Sequence, residues 1–312
     1  MKKLFTIIAL TIGFSMNAQV ATNGTTPTGS DASAIGINTI ASGSQSTAMG
    51  SSTEASGNQS TAMGFNTTAS QSYSTAMGRD GLASGSVSTA MGRSTIASGN
   101  TSTAMGRSTT ASANYSTAMG YGTTASGSNS TVMGGSTTAS DYASVVIGQY
   151  NLAGSTVTNS ATAFNTANTA FVIGNGVSGT TSDAFKVMFN GDATVGNDLT
   201  VSGDVVVNSD MRLKANIISL GSTLFKLLQI DGKTYTMKRD ATQKQKIGVL
   251  AQDIEKVFPE LVVENNGIKS VNYQGLVPVL INSIKEQDAK MKKQQSEIDE
   301  LKEMVKQLMS GK

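Results

Sequence analysis

The chain has 312 residues, a formal net charge of +2, and neither histidine nor cysteine. Those absences exclude Cys/His zinc sites, haem ligation through either residue, imidazole acid–base chemistry and disulfides, leaving serine, threonine or lysine for any nucleophilic step. So small a charge balance does not point to nucleic acid, and no nucleic-acid partner, cofactor or metal is expected.

Residues 1–18 read as a secretory signal: Lys2 and Lys3, an apolar stretch from Leu4 to Met16, and the small Ala18 before Gln19. That stretch is too short for a permanent span. The expectation is a secreted or cell-surface protein without an integral membrane anchor.

From residue 35 to 147 an Ile-Gly or Met-Gly pair returns every fourteen residues, at Ile35, Met49, Met63, Met77, Met91, Met105, Met119, Met133 and Ile147. A period this short marks a solenoid whose units bury their apolar faces only against one another. In ASGNTSTAMGR, residues 97–107, two alternating stretches flank a turn at Gly99 and Asn100. Gly106 and its equivalents supply a corner where a side chain would not fit or φ must be positive. Alternation places Thr103 and Met105 on one face, Ser102 and Ala104 on the other. The coil interior is expected to hold one Met or Ile and several alanines, the methionines forming a packing ladder. A lone roll so thin buries too little to offset backbone ordering at ~1–2 kcal/mol per residue, which predicts an obligate homotrimer packed on small residues. Arg79, Arg93 and Arg107 share one repeat phase and should stack along one side, as a solubilising ladder or, alternatively, a ligand stripe.

The alternation of S-T-A-M-G with x-A-S-G over residues 30–154 resembles the head repeat of the YadA-like trimeric adhesins. The resemblance implies a trimeric left-handed parallel β-roll that contacts a host or matrix protein or a surface glycan. Collagen-binding heads of that family carry S-V-A-I-G, whereas this chain has S-T-A-M-G, with Ser-Val-Val-Ile-Gly only at Ser144 to Gly148.

Residues 155–208 keep β character without the period, in Ala170 to Gly174, Ala184 to Phe189 and the glycine-punctuated stretch Gly191 to Val207. They read as a neck or shaft of short strands.

At Ser209 the composition turns charged and the pattern helical, with Ile217, Ile218, Leu220, Leu224 and Leu227 at helical spacing. Taken locally, Ser209-Asp210 is an ordinary helix cap and Lys214 a solvated lysine. The motif order S-D-x-R-x-K, G-x-x-A-Q (248–252), P-E-L-V (259–262) and V-N-Y (271–273), however, resembles the endosialidase-type intramolecular chaperone and autopeptidase family. That resemblance implies a domain, residues 209–275, that trimerises, templates folding of the preceding β-structure, and then cuts itself off. Ser209 falls on the family's nucleophile and Lys214 on its activating lysine, with cleavage at Asn208–Ser209; Asp210 and Arg212 are expected to position the segment by pairing. Such an enzyme acts on its own chain as a serine endopeptidase, with no turnover on other substrates.

Residues 276–312 carry a heptad seam. Val277, Ile284, Met291, Ile298 and Val305 interleave with Leu280, Gln287, Gln294, Leu301 and Leu308, the spacing of a parallel coiled coil, read as trimeric. The fold expected is thus a signal peptide (1–18), a mainly β solenoid head (19–154), a β neck (155–208) and an α+β chaperone domain ending in a coiled-coil helix. Its function is read as a secreted homotrimeric adhesin or fibre that self-cleaves. The alternatives are a non-cleaving structural spacer and a phage-derived tail fibre with a receptor-binding head. A glycan-cleaving enzyme is disfavoured because the repeats hold no paired carboxylates.

Overall fold

The computed structural model describes residues 23–311 apart from 153, 156–159, 239 and 266. The expected signal segment, 1–18, lies outside the described residues. Two compact units divide after Asp204.

The first unit is a β-solenoid. Each coil contributes a five-residue strand, such as Thr103–Arg107, and a two-residue strand, such as Thr110–Ala111. Like strands stack in parallel with each residue opposite its counterpart fourteen positions away: Met91 faces Met105, and Met105 faces Met119. The short strands form a nine-stranded sheet and the long ones belong to a twelve-stranded sheet.

The ladder continues around the corners. Besides the corner glycine, two residues per coil adopt positive φ, for example Thr101 (54°) and Ser108 (56°). Their N–H groups donate to Ser86 and Arg93 of the preceding coil, each at 2.8 Å. Turning these amides along the solenoid axis satisfies backbone that would otherwise be stranded at a tight bend.

The interior contradicts one expectation. Ala97, Ala104, Thr95 and Ser102 are fully buried, as are their equivalents in coil after coil, whereas the methionines point outward, with Met91 37 % exposed. A coil of fourteen residues encloses a bore that only Ala, Ser and Thr fit; alternation along the strand then forces Met105, next to inward Ala104, onto the outer face. Only towards the far end, at Val132, Val146 and Val172, does the bore admit a larger side chain.

The sheet runs on past residue 154. Thr169–Asn175 pairs in parallel with Val145–Gln149, placing Ile173 on Ile147 and Gly174 on Gly148, as a further rung after a long excursion. Asp183–Met188 and Ala193–Val195 then add antiparallel. Asp141, almost fully buried, braces the excursion by accepting from the backbone N–H groups of Ser155 and Thr169, each at 2.8 Å. Residues 196–204 carry no strand and are exposed.

In the second unit the run of helical spacing expected from 217 to 227 is reduced to one turn, α1 (Leu224–Leu227). Asn216 and Gly221 take positive φ, 54° and 68°, and interrupt it; Ile218 is 87 % exposed. Two antiparallel hairpins follow, Lys233–Thr236 with Gln245–Gly248 and Val262–Asn265 with Ile268–Val271. Between them runs α2 (Ala251–Val257), and after them α3 (Leu276–Ser310). Ile254, Val257, Phe258, Leu261 and Val279 form the core.

The remaining sequence motifs are packing devices. A Cβ on Gly248 would sit 2.7 Å from Tyr273 Oη, and that hydroxyl accepts from Val249 N–H at 3.1 Å, so G-x-x-A-Q and V-N-Y interlock. Thr223, fully buried, hydrogen-bonds through its hydroxyl to Val279 O and Ser283 Oγ on α3. Glu286 on α3 accepts from Ser222 Oγ and from the backbone N–H groups of Thr223 and Leu224 at the start of α1. These hydrogen bonds hold its carboxyl below the usual glutamate range.

Candidate functional site

The segment leading to Ser209 is exposed and free of regular structure from Val205 onward. Asp210, with extended backbone, then caps a single 3-10 turn, Met211–Leu213, its carboxylate accepting from Arg212 N–H at 2.8 Å. The Arg212 guanidinium grips both carboxylate oxygens, the closest contact being Nη2 to Oδ2 at 2.7 Å. Arg212's side-chain and backbone donors hold the Asp210 carboxyl below the ordinary aspartate range, and Asp210 in turn raises Arg212.

That turn reverses the chain far enough for Lys214 Nζ to donate to Ser209 Oγ at 2.8 Å. The capping side chain is Asp210, and Ser209 is left to face Lys214. Both Ser209 and Lys214 are exposed, as is Asn208 on the other side of the bond between 208 and 209. The turn therefore brings hydroxyl and amine together next to an accessible peptide bond. Among the described residues no group of three or more acidic side chains converges as a metal site would require.

Two further surfaces carry chemistry. The heptad residues Val277, Ile284, Met291, Ile298, Leu301 and Val305 of α3 form an exposed row. On the solenoid, Arg79, Arg93 and Arg107 stand in register on successive strands, continued by Phe65 on one side and Tyr121 on the other. The two rings escaped the sequence reading, although their fourteen-residue phase marks them as members of the same row. No helix among the described residues is long and apolar enough to cross a membrane.

A search of curated proteins returns no match. Residues 28–53, 55–80, 83–107, 97–123 and 125–151 match the YadA head domain repeat, and residues 209–263 match the chaperone of endosialidase. The second match opens at Ser209 and takes in Lys214, α1, α2 and the first hairpin. The chain therefore joins repeats similar to the YadA head, within residues 28–151, to a segment similar to the endosialidase chaperone, residues 209–263, an adhesin- or tail-fibre-like architecture.

Proposed function

We propose that the protein is a secreted homotrimeric surface fibre whose C-terminal unit aligns three chains and then severs itself at Asn208–Ser209. The observation that carries the reading is the 2.8 Å approach of Lys214 Nζ to Ser209 Oγ beside an exposed peptide bond. Homotrimers are typical of both matched families, and α3 exposes a heptad seam of the kind three parallel helices cover.

In this reading the C-terminal unit solves a kinetic problem. Long-range parallel pairing is slow and leaves strand edges open while it proceeds. A coiled coil at the chain end raises the local concentration of the other two chains and sets their alignment. Gln287 and Gln294 in the seam fix register at some cost in stability.

For cleavage, Lys214 takes the proton of Ser209 Oγ as the oxygen attacks the carbonyl carbon of Asn208. The bond from that carbon to Ser209 N breaks as the nitrogen accepts the proton, leaving an ester between Asn208 and Ser209 Oγ. Water hydrolyses the ester, regenerating the serine and freeing the carboxylate of Asn208. Because attack is intramolecular, little proximity entropy remains to be overcome. A lysine serves as base only in its neutral form, which exclusion of water favours. This reading assigns that exclusion to the neighbouring chains, which cover the open face of the segment. Intact-mass measurement tests the scheme: fragments ending at Asn208 and beginning at Ser209 support it, and a chain that stays whole as an assembled trimer rejects the cleavage step.

A further inference from the structure

We propose that Glu286 is a positioning residue for self-cleavage: it fastens the segment that carries Ser209 and Lys214 to the flank of α3, so that coiled-coil assembly gathers the three scissile segments at one place. This deepens the cleavage reading, on which it rests, by naming what couples the heptad seam to the cut.

The start of α3 has two distinct faces. Between residues 277 and 287 its covered positions are Val279, Asn282, Ser283 and Glu286, while Val277, Leu280, Ile284 and Gln287 of the seam are exposed. At about 3.6 residues per turn, the two sets are centred roughly 130° apart around the helix. Helices that meet through the seam therefore leave the covered face in place. Glu286 is the last covered position, and every residue from 287 to 310 is exposed.

The covered face clasps residues 221–224. Asn282 Nδ2 donates to Gly221 O at 3.2 Å. Thr223 Oγ1 donates to Val279 O at 3.0 Å and lies 2.8 Å from Ser283 Oγ. The Glu286 carboxylate gathers three donors, namely Ser222 Oγ at 2.7 Å, Thr223 N–H, and Leu224 N–H at 3.3 Å. Two of these are amides at the start of α1, which no carbonyl within that helix can accept. A charged acceptor makes such bonds stronger than neutral ones, so Glu286 is the strongest single point of the clasp.

Chain length turns the clasp into a tether. Seven residue steps separate Lys214 from Gly221, which keeps the dyad within roughly 25 Å of α3. Ser209 and Lys214 are themselves exposed, so nothing nearer holds them to their own chain's core. With the clasp open, the next anchor is Leu227, packed against the core, thirteen steps from Lys214. Effective concentration falls roughly as the −3/2 power of tether length, so each segment would meet a neighbouring chain about 2.5-fold less often. Covering a site from both neighbours squares that loss to about six-fold.

The full chain carries the test. In Glu286→Ala, fragments ending at Asn208 are expected to appear about three-fold to six-fold more slowly, with the trimer retained on sedimentation. Ser222→Ala, which removes one exposed donor, is expected to shift the rate the same way by less, and Lys285→Ala on the same turn not at all. Position is read separately, because a chain without cysteine accepts a single reporter. Met211 is 72 % exposed, and Met211→Cys in a Ser209→Ala background is expected to cross-link between chains with a short bis-maleimide. Adding Glu286→Ala is expected to lower that cross-linking about three-fold or more. Absent cross-links, or cross-links unchanged by Glu286→Ala, overturn the role, as does cleavage of Glu286→Ala at the wild-type rate. Loss of the trimer in Glu286→Ala overturns it too, because the residue would then act in assembly. A wild-type chain that never cleaves defeats the serine–lysine reading instead, and cross-linking that depends on Glu286 leaves the clasp standing.

Discussion

Lys214 Nζ donates to Ser209 Oγ at 2.8 Å across a single 3-10 turn whose cap is Asp210. The contact is local, spanning five residues, and does not depend on a distant part of the chain for its geometry. The wild type is expected to yield two fragments, and Ser209→Ala and Lys214→Met each to leave one full-length chain, read by intact mass. If cleavage locks the fibre behind its unfolding barrier, the processed trimer will also outlast the Ser209→Ala trimer on heating.

Arg212→Ala is a graded version of the same test. It removes the guanidinium from Asp210 and loosens the turn without touching serine or lysine. Slower cleavage, read as a lower rate of fragment appearance over time, is expected, with a complete block expected only for Ser209→Ala.

The corner glycines are the strictest positions in the repeat. Gly106 has φ 122°, and a Cβ there would fall 2.1 Å from the carbonyl oxygen of Gly120 in the next coil. Both strain and collision follow from one methyl, so Gly106→Ala is expected to cost at least about 3 kcal/mol. Denaturant unfolding of the variant measures it.

Gly81 is the opposite case. It interrupts a buried row of threonines that includes Thr67 and Thr95, and a Cβ would meet Thr95 Oγ1 at 3.4 Å and Thr67 Cγ2 at 3.8 Å, ordinary contacts. Gly81→Ala is expected to stabilise by about 1 kcal/mol, from a buried methyl and a less flexible unfolded chain. Gly81→Thr should gain less, because the buried hydroxyls of Thr67 and Thr95 find no hydrogen-bond partner among the described residues and a new one would share that penalty. Thermal melts of the two variants side by side separate the effects.

Asp141 links the solenoid end to acid sensitivity. Burial pushes its carboxyl up, but the hydrogen bonds from Ser155 and Thr169 outweigh burial and hold it below the ordinary value of 3.8. A carboxylate favoured by the folded state contributes stability that is fully present above the unfolded value and is lost as pH falls through the lower folded one. Asp141→Asn is therefore expected to destabilise by about 1–3 kcal/mol at neutral pH. The gap to wild type should close below about pH 4, measured as melting temperature against pH.

Much of the architecture was legible in the chain because it is written in repeats. A fourteen-residue interval that never slips from Ile35 to Ile147 admits only a stacked coil, and the interleaved heptads from Val277 to Leu308 admit only a long helix with one apolar seam. Ser209 and Lys214 were singled out only by resemblance to a family motif, since spacing alone reads as a helix cap and a solvated lysine. Which face of the strand looks inward was decided by three-dimensional closure. The bore of the coil is set by two sheets standing against each other, and its width, invisible in any single repeat, admits Ala104 and turns Met105 outward. Likewise the fourteen-residue interval did not announce that Thr169–Asn175 would rejoin the sheet as another rung, although its Val-Ile-Gly repeats residues 146–148; a buried carboxylate at Asp141 recruits residues 155 and 169 from beyond the periodic region. Periodicity is a property of neighbours along the chain; bore, closure and capping are properties of neighbours in space.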